Sequence, residues 1–137
     1  MAKPSAHPIC QVLLTCDQAW RDPTTGKVFL LGLFRNITCA SFPTTYPQLT
    51  VFAILLEGPS RCDLSLQLTD LRDGSIVHDL KLEGVSFPNP LGGIELLLNL
   101  RGVEFPHAGA YEFVLTHQGE RLQGYRIDVG GRTEGTK

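Results

Sequence analysis

Residues 62–69 read CDLSLQLT. Cys62, Leu64, Leu66 and Leu68 fall on one parity; Asp63, Ser65, Gln67 and Thr69 fall on the other. A period of two sends alternate side chains to opposite faces of a strand, so this segment is a strand with one face in a core and one in water. Asp70 to Ser75 is turn chemistry, with Gly74 placed where a positive φ is needed. The return run puts Ile76, Leu80 and Leu82 on one face and Asp79, Lys81 and Glu83 on the other, with His78 on the apolar parity. The two runs predict a β-hairpin.

The same alternation extends outward in both directions. Ile94, Leu96, Leu98 and Leu100 predict one inward face; Tyr111, Phe113 and Leu115 predict another. In the last run the apolar parity changes from Leu122 to Tyr125, Ile127 and Val129, which predicts a β-bulge near Gly124. Phe42-Pro43, Tyr46-Pro47, Phe87-Pro88 and Phe105-Pro106 flank predicted strands. Proline cannot donate to a central ladder, so these pairs mark strand ends and crossovers, and the aromatic partner can plug the end of a core.

Two segments break the alternation. KVFLLGLFRNI (27–37) and LTVFAILLEG (49–58) are apolar on both parities. They are short, rich in β-branched and aromatic residues and bounded by turn chemistry, which favours strands covered on both faces over the alternative, one buried helix. A two-layer sandwich leaves the outer face of each sheet to solvent, so one parity of each strand needs a cover. The candidates are the chain's own loops, particularly residues 84–93, or a second protein surface. Phe29, Leu31, Leu33, Phe52, Ile54 and Leu56 are therefore the expected interaction face, with a homodimer or another subunit as the partner.

Composition limits the alternatives. The chain has 137 residues, 42% hydrophobic and 19% charged, with a net charge of −2. That suits one globular domain, assigned to residues 1–130, followed by a polar, glycine-rich tail over 131–137 that is expected to be mobile. There is no basic cluster of the kind a nucleic-acid surface requires. No apolar run reaches the roughly 20 residues of a membrane span, and the N-terminal residues lack the apolar run of a signal peptide. A soluble, cytoplasmic protein without nucleic-acid or membrane partners is expected. Cys10, Cys16, Cys39 and Cys62 form no C-x-x-C and read as free core residues; Cys10 and Cys16 share a parity on one predicted strand.

Catalytic and metal patterns are weak. His7, His78, His107 and His117 show no ligand spacing and read as surface or loop residues, with His107 and His117 at opposite ends of one strand. Asp70 and Asp73 read as turn residues that bond the local backbone rather than as calcium ligands, which leaves metal-dependent activity a remote alternative. No G-x-S-x-G elbow or phosphate-binding loop is present. No cofactor, catalytic residue or metal ligand is assigned. The functional alternative is a carbohydrate- or small-ligand-binding sandwich that stacks its ligand on Trp20, which is read as part of the loop DQAWRDPTTGK (17–27).

EFPHAGAYEFVL (104–115) poses a choice between chemistry and architecture. Pro106, Gly109 and Tyr111 precede an alternating strand, and His107 sits beside them. Pro106 ends a ladder, Gly109 permits a sharp turn, and Tyr111 enters the core with its hydroxyl bonded to a backbone group a few residues upstream, as in a tyrosine corner. These three are expected to be a structural corner.

Three stretches together, GKVFLLGLFRNI (26–37), FPTTYPQLTVFAILLEG (42–58) and FPHAGAYEFVLTHQGERLQGYRIDV (105–129), resemble a family of short bacterial proteins known as a domain of unknown function. The resemblance runs from about Cys16 to Val129. It implies a small, soluble, all-β protein without an assigned activity and carries over no catalytic residues. The last stretch also resembles the proline-glycine-x-tyrosine approach to a late strand of immunoglobulin-like sandwiches. The expectation is an all-β, Ig-like or Greek-key sandwich of about eight antiparallel strands. Its expected role is that of a non-catalytic interaction or assembly module.

Overall fold

The structure, a computed structural model, describes residues 7–89 and 91–131. The tail assigned to 131–137 therefore lies outside the described residues, apart from Gly131. The described residues form nine strands: β1 (Ile9–Arg21), β2 (Val28–Phe34), β3 (Asn36–Cys39), β4 (Thr44–Leu56), β5 (Arg61–Asp70), β6 (Ile76–Ser86), β7 (Gly93–Phe105), β8 (Gly109–His117) and β9 (Glu120–Gly131). The described residues contain no helix, and none long and apolar enough to cross a membrane. The strands form two sheets, ordered β2-β1-β4-β7 and β3-β9-β8-β5-β6. The chain changes sheet between β2 and β3, β3 and β4, β4 and β5, β6 and β7, and β7 and β8. This is an Ig-like Greek-key sandwich.

The strand beyond the expected eight is β3. It has four residues and pairs in parallel with β9, so it is too short to show an alternating pattern. Between the sheets, Leu49, Val51, Ala53 and Leu55 of β4 share one core with Leu64, Leu66 and Leu68 of β5, Tyr111, Phe113 and Leu115 of β8, and Ile127 and Val129 of β9. Each large side chain removed from water here stabilises the fold by about 1.5–3 kcal/mol. Phe87 and Phe105 from the Phe-Pro pairs belong to the same core, and Phe42 packs against it.

Bulges explain where simple parity misleads. The β5–β6 register shifts between Leu68 and Thr69, so Ile76 faces solvent and Val77 takes the inward position. The β8–β9 register shifts at Leu115/Thr116, opposite Gln123 and Arg121, which places the extra residue at Leu122, close to the expected site. Gly124 serves a different purpose, since a side chain there would collide with the paired Arg121 and Glu112. A shift between Cys10 and Val12 separates Cys10 from Cys16. Cys10 lies in the main core, opposite Leu55, while Cys16 lies opposite Thr50 on the outer face of the sheet.

The outer faces of the two sheets differ. That of the five-stranded sheet carries Asp63, Ser65, Gln67, Lys81, Glu112 and Arg121. That of the four-stranded sheet carries Val12, Leu14 and Cys16 of β1 opposite Ile54, Phe52 and Thr50 of β4. Phe52, Thr50 and Cys16 are buried although they lie outside the main core. Their cover is the chain itself. β1 pairs with β4 only as far as Cys16 and with β2 from Thr15 to Arg21. Past Cys16, the far part of β1 and β2 from Val28 to Leu31 form a two-stranded ribbon, while Leu33 and Phe34 stay in the sheet beside Cys16 and Thr15.

Candidate functional site

The position of this ribbon follows from one ion pair. Arg21 Nη1 lies 2.7 Å from Glu95 Oε1. Glu95 is opposite Ile54, which is opposite Val12, so this row lies nine residues back along β1 from Arg21. A straight β1 would carry Arg21 about 30 Å beyond it. The ribbon therefore doubles back over the outer face of its own sheet. Arg21 also lines one groove with Ile54, Gly93, Ile94 and Glu95.

The bend sits between Asp17 and Gly32, which face each other across the ribbon. Gly32 has a φ of 72°, a left-handed conformation that disfavours side chains, and a Cβ there would collide with the Asp17 carboxylate. Past the bend, Ala19, Val28 and Leu30 are half-buried. The opposite parity is open, with Trp20 53% exposed, Phe29 48% and Leu31 55%, while Leu33, on the near side of the bend opposite Cys16, is 60% exposed. Trp20 and Phe29 are cross-strand partners whose ring centroids lie 5.4 Å apart at 47°.

The six residues of the expected interaction face thus occupy two levels. Phe29 and Leu31 are on the solvent side of the ribbon, and Leu33 is exposed beside its bend, opposite Cys16. Phe52 is buried on the outer face of the sheet below, and Ile54 and Leu56 there are half-buried. The ribbon, returned by the Arg21–Glu95 pair, lies over this face. Trp20 is not in a loop. β1 continues through it, because the ribbon pairs as far as Arg21↔Val28. Lys27 and Arg35, at the two ends of β2, are exposed, and neither side chain has an ion-pair partner among the described residues.

The second constellation is at the corner. Gly109 adopts a φ of 150°, and Pro106 follows the last residue of β7. The Tyr111 hydroxyl donates to the His107 carbonyl at 2.6 Å and accepts from the His107 N–H at 3.3 Å. This is a tyrosine corner. The Tyr111 ring also meets Phe105 edge-on at 5.0 Å. Sequence alone did not reveal that the corner is tied to the β5–β6 turn. His107 Nε2 lies 2.5 Å from Oδ2 of the buried Asp70, and Leu71 N donates to the Ala110 carbonyl at 3.0 Å. Asp70 also accepts from Arg72 N at 2.9 Å, and Asp73 from Ser75 N at 2.9 Å, the local turn bonds expected of both.

Both nitrogens of His107 face acceptors, because Nδ1 lies 2.7 Å from the Ala108 carbonyl. Only the imidazolium donates from both. The Ala108 carbonyl and the Asp70 carboxylate accordingly raise the His107 pKa above its ordinary value. His117 differs from the expected surface histidine. It continues the inward parity of Tyr111, Phe113 and Leu115, is buried at the end of β8, and lies 2.8 Å, nitrogen to nitrogen, from His7. Burial, reinforced by His7, lowers its pKa. Burial also pushes the Cys10 thiol up to about 11 and raises those of Cys16 and Cys62. Among the described residues, no three His, Cys, Asp or Glu side chains gather as a metal-binding group.

Residues 11–130 match the model of a family of unknown function, DUF6941. No curated protein matches the sequence. Among solved structures, the chain is similar to part of the alkylpurine DNA glycosylase AlkC of Pseudomonas fluorescens, solved bound to DNA containing an abasic-site analogue, at 13% identity and a TM-score of 0.60. The match covers 96% of this chain and 32% of the glycosylase, so the chain spans about a third of that protein. An immunoglobulin-like protein of Pseudomonas aeruginosa aligns at 9% identity and a TM-score of 0.46, over 90% of this chain and 97% of its own. A β-glucosidase of Listeria innocua aligns at 9% identity and 0.47, over 92% of this chain and 17% of the enzyme. Likeness at these identities is likeness of fold.

Proposed function

The chain belongs to DUF6941, a family of unknown function, and from its surface we propose that it is a non-catalytic interaction module whose docking surface is the β1–β2 ribbon. One observation carries this reading: Trp20, Phe29 and Leu31 are about half exposed or more on the open face of the ribbon, and Leu33 beside its bend is 60% exposed. Single exposed apolar residues are ordinary, but a contiguous group of large ones marks an interface. Trp and Phe are also the side chains that dominate binding energy at interface centres. The polar cluster at the corner supports a non-catalytic role, because Asp70, His107 and Tyr111 bond to one another and to the backbone.

The test is photo-crosslinking from position 31 in cells, with position 114 on the polar face of the other sheet as control. A discrete protein adduct from position 31 that is absent from position 114, and lost when Leu33 is changed to Lys, supports the reading. Equal or absent crosslinking from both contradicts it. Sugar stacking is a second reading, favoured by the exposure of Trp20 alone. The 47° tilt between Trp20 and Phe29 gives a sugar ring no single plane to lie on. A shift of tryptophan emission with added glycans would support it.

A further inference from the structure

β2 is an edge strand, and it is unlike the other edges. The sheets end in β2, β7, β3 and β6. β6 carries Asp79, Lys81 and Glu83; β7 carries Glu95, Arg101 and Glu104; β3 has only four residues. Charge, irregularity and shortness are the devices that keep an edge from pairing with another chain. β2, with the sequence VFLLGLF, contains no charge and no proline and among the described residues pairs only with β1; its one irregularity is Gly32, across which the register with β1 is unchanged. Alternate N–H and C=O groups of such a strand point away from its one neighbour.

The charges flanking this edge indicate what would pair with it. Lys27 and Arg35 stand just outside its two ends, exposed and without ion-pair partners among the described residues. If two copies of β2 paired antiparallel about Leu31, Lys27 of each would face Arg35 of the other. Like charges placed opposite each other disfavour that arrangement. An apolar strand ending in carboxylates would meet opposite charges at both ends.

We propose that β2 accepts an extended apolar segment of another protein, flanked by acidic residues, as an added strand along its free edge. The backbone of the segment would complete the β2 ladder, and its alternate side chains would extend the row of Phe29, Leu31 and Leu33. This rests on the reading of the ribbon as a docking surface and specifies the partner and the mode of binding.

The probe is a capped synthetic peptide of alternating valine and threonine, as long as β2, with two aspartates at each end. Trp20 is the only tryptophan in the chain, so its emission reports binding, and amide exchange reports pairing. The expected result is a blue shift together with slowed exchange at alternate amides of residues 28–34. A lysine-flanked version should bind roughly fivefold or more weakly. The paired substitutions Lys27→Glu and Arg35→Glu should reverse that preference; should this variant fail to fold, the comparison of flanks on the unmodified protein still decides. Absence of peptide binding, binding indifferent to the flanks, unprotected β2 amides, or a dimer joined through β2 would each overturn strand addition. A position-31 adduct that persists alongside any of these would leave the docking surface standing and remove only this mode of using it.

Discussion

Arg21 and Glu95 are joined at 2.7 Å although the β1–β4–β7 register separates their rows by nine residues of strand. The pair records the folding back of the β1–β2 ribbon. It does not by itself hold the ribbon down, because both side chains are substantially exposed. The burial of Phe52, Thr50 and Cys16 beneath the ribbon is the larger contribution. Glu95→Gln is therefore expected to cost no more than about 1 kcal/mol in urea denaturation. Hydrogen exchange over residues 17–34 should quicken more than it does elsewhere in the sheet.

Gly32→Ala should cost more than Glu95→Gln. The substituted residue would hold a left-handed φ and press its Cβ against Asp17. The strain predicts a loss of about 1–2 kcal/mol. Gly26→Ala, at a similar φ but with nothing near its Cβ, provides the control for conformation alone. Equal costs for the two in thermal or chemical denaturation would remove the Asp17 contact from the explanation.

Tyr111→Phe removes a hydroxyl that donates to one backbone group and accepts from another. Since Tyr111 is fully buried, a loss of about 1–3 kcal/mol is expected. Binding at the ribbon should be unchanged. Weakened binding by a folded Tyr111→Phe protein would mean that the corner is more than a clasp.

His107 and His117 should titrate on opposite sides of 6.5, the ordinary histidine value. The Ala108 carbonyl and Asp70 raise the pKa of His107, so its contribution to stability is complete below 6.5 and is lost as pH rises through the folded value. Burial and His7 lower the pKa of His117, so its neutral form is favoured and stability falls as pH drops below 6.5. Imidazole proton shifts, followed by NMR in the protein and in Asp70→Asn, test the assignment. The substitution should lower the His107 value and leave His117 in place.

The alternating runs were legible in the sequence because their parity is set locally: Leu64, Leu66 and Leu68 lie in the core, and Tyr111 forms the corner expected of it. Three features were not. Bulges at Cys10/Val12 and Leu68/Thr69 turn single residues across the sheet and leave no mark in composition. The Asp70–His107 contact joins residues 37 apart, and nothing in either local pattern announces it. The doubly apolar strands signalled that the outer face needs a cover. That the β1–β2 ribbon returns over this face depends on the Asp17/Gly32 bend, which to the sequence is one glycine in an apolar run.

The direction of the ribbon can be measured with spin labels at Thr24, on its tip, paired with labels at either end of β7. Leu91 stands just before Gly93 and Glu95, and Glu104 lies near the far end of that strand. A ribbon folded back over the sheet predicts a shorter mean distance from position 24 to position 91 than from position 24 to position 104. The reverse order would mean that β1 runs straight on and that Trp20, Phe29 and Leu31 are not the outer surface of a cover.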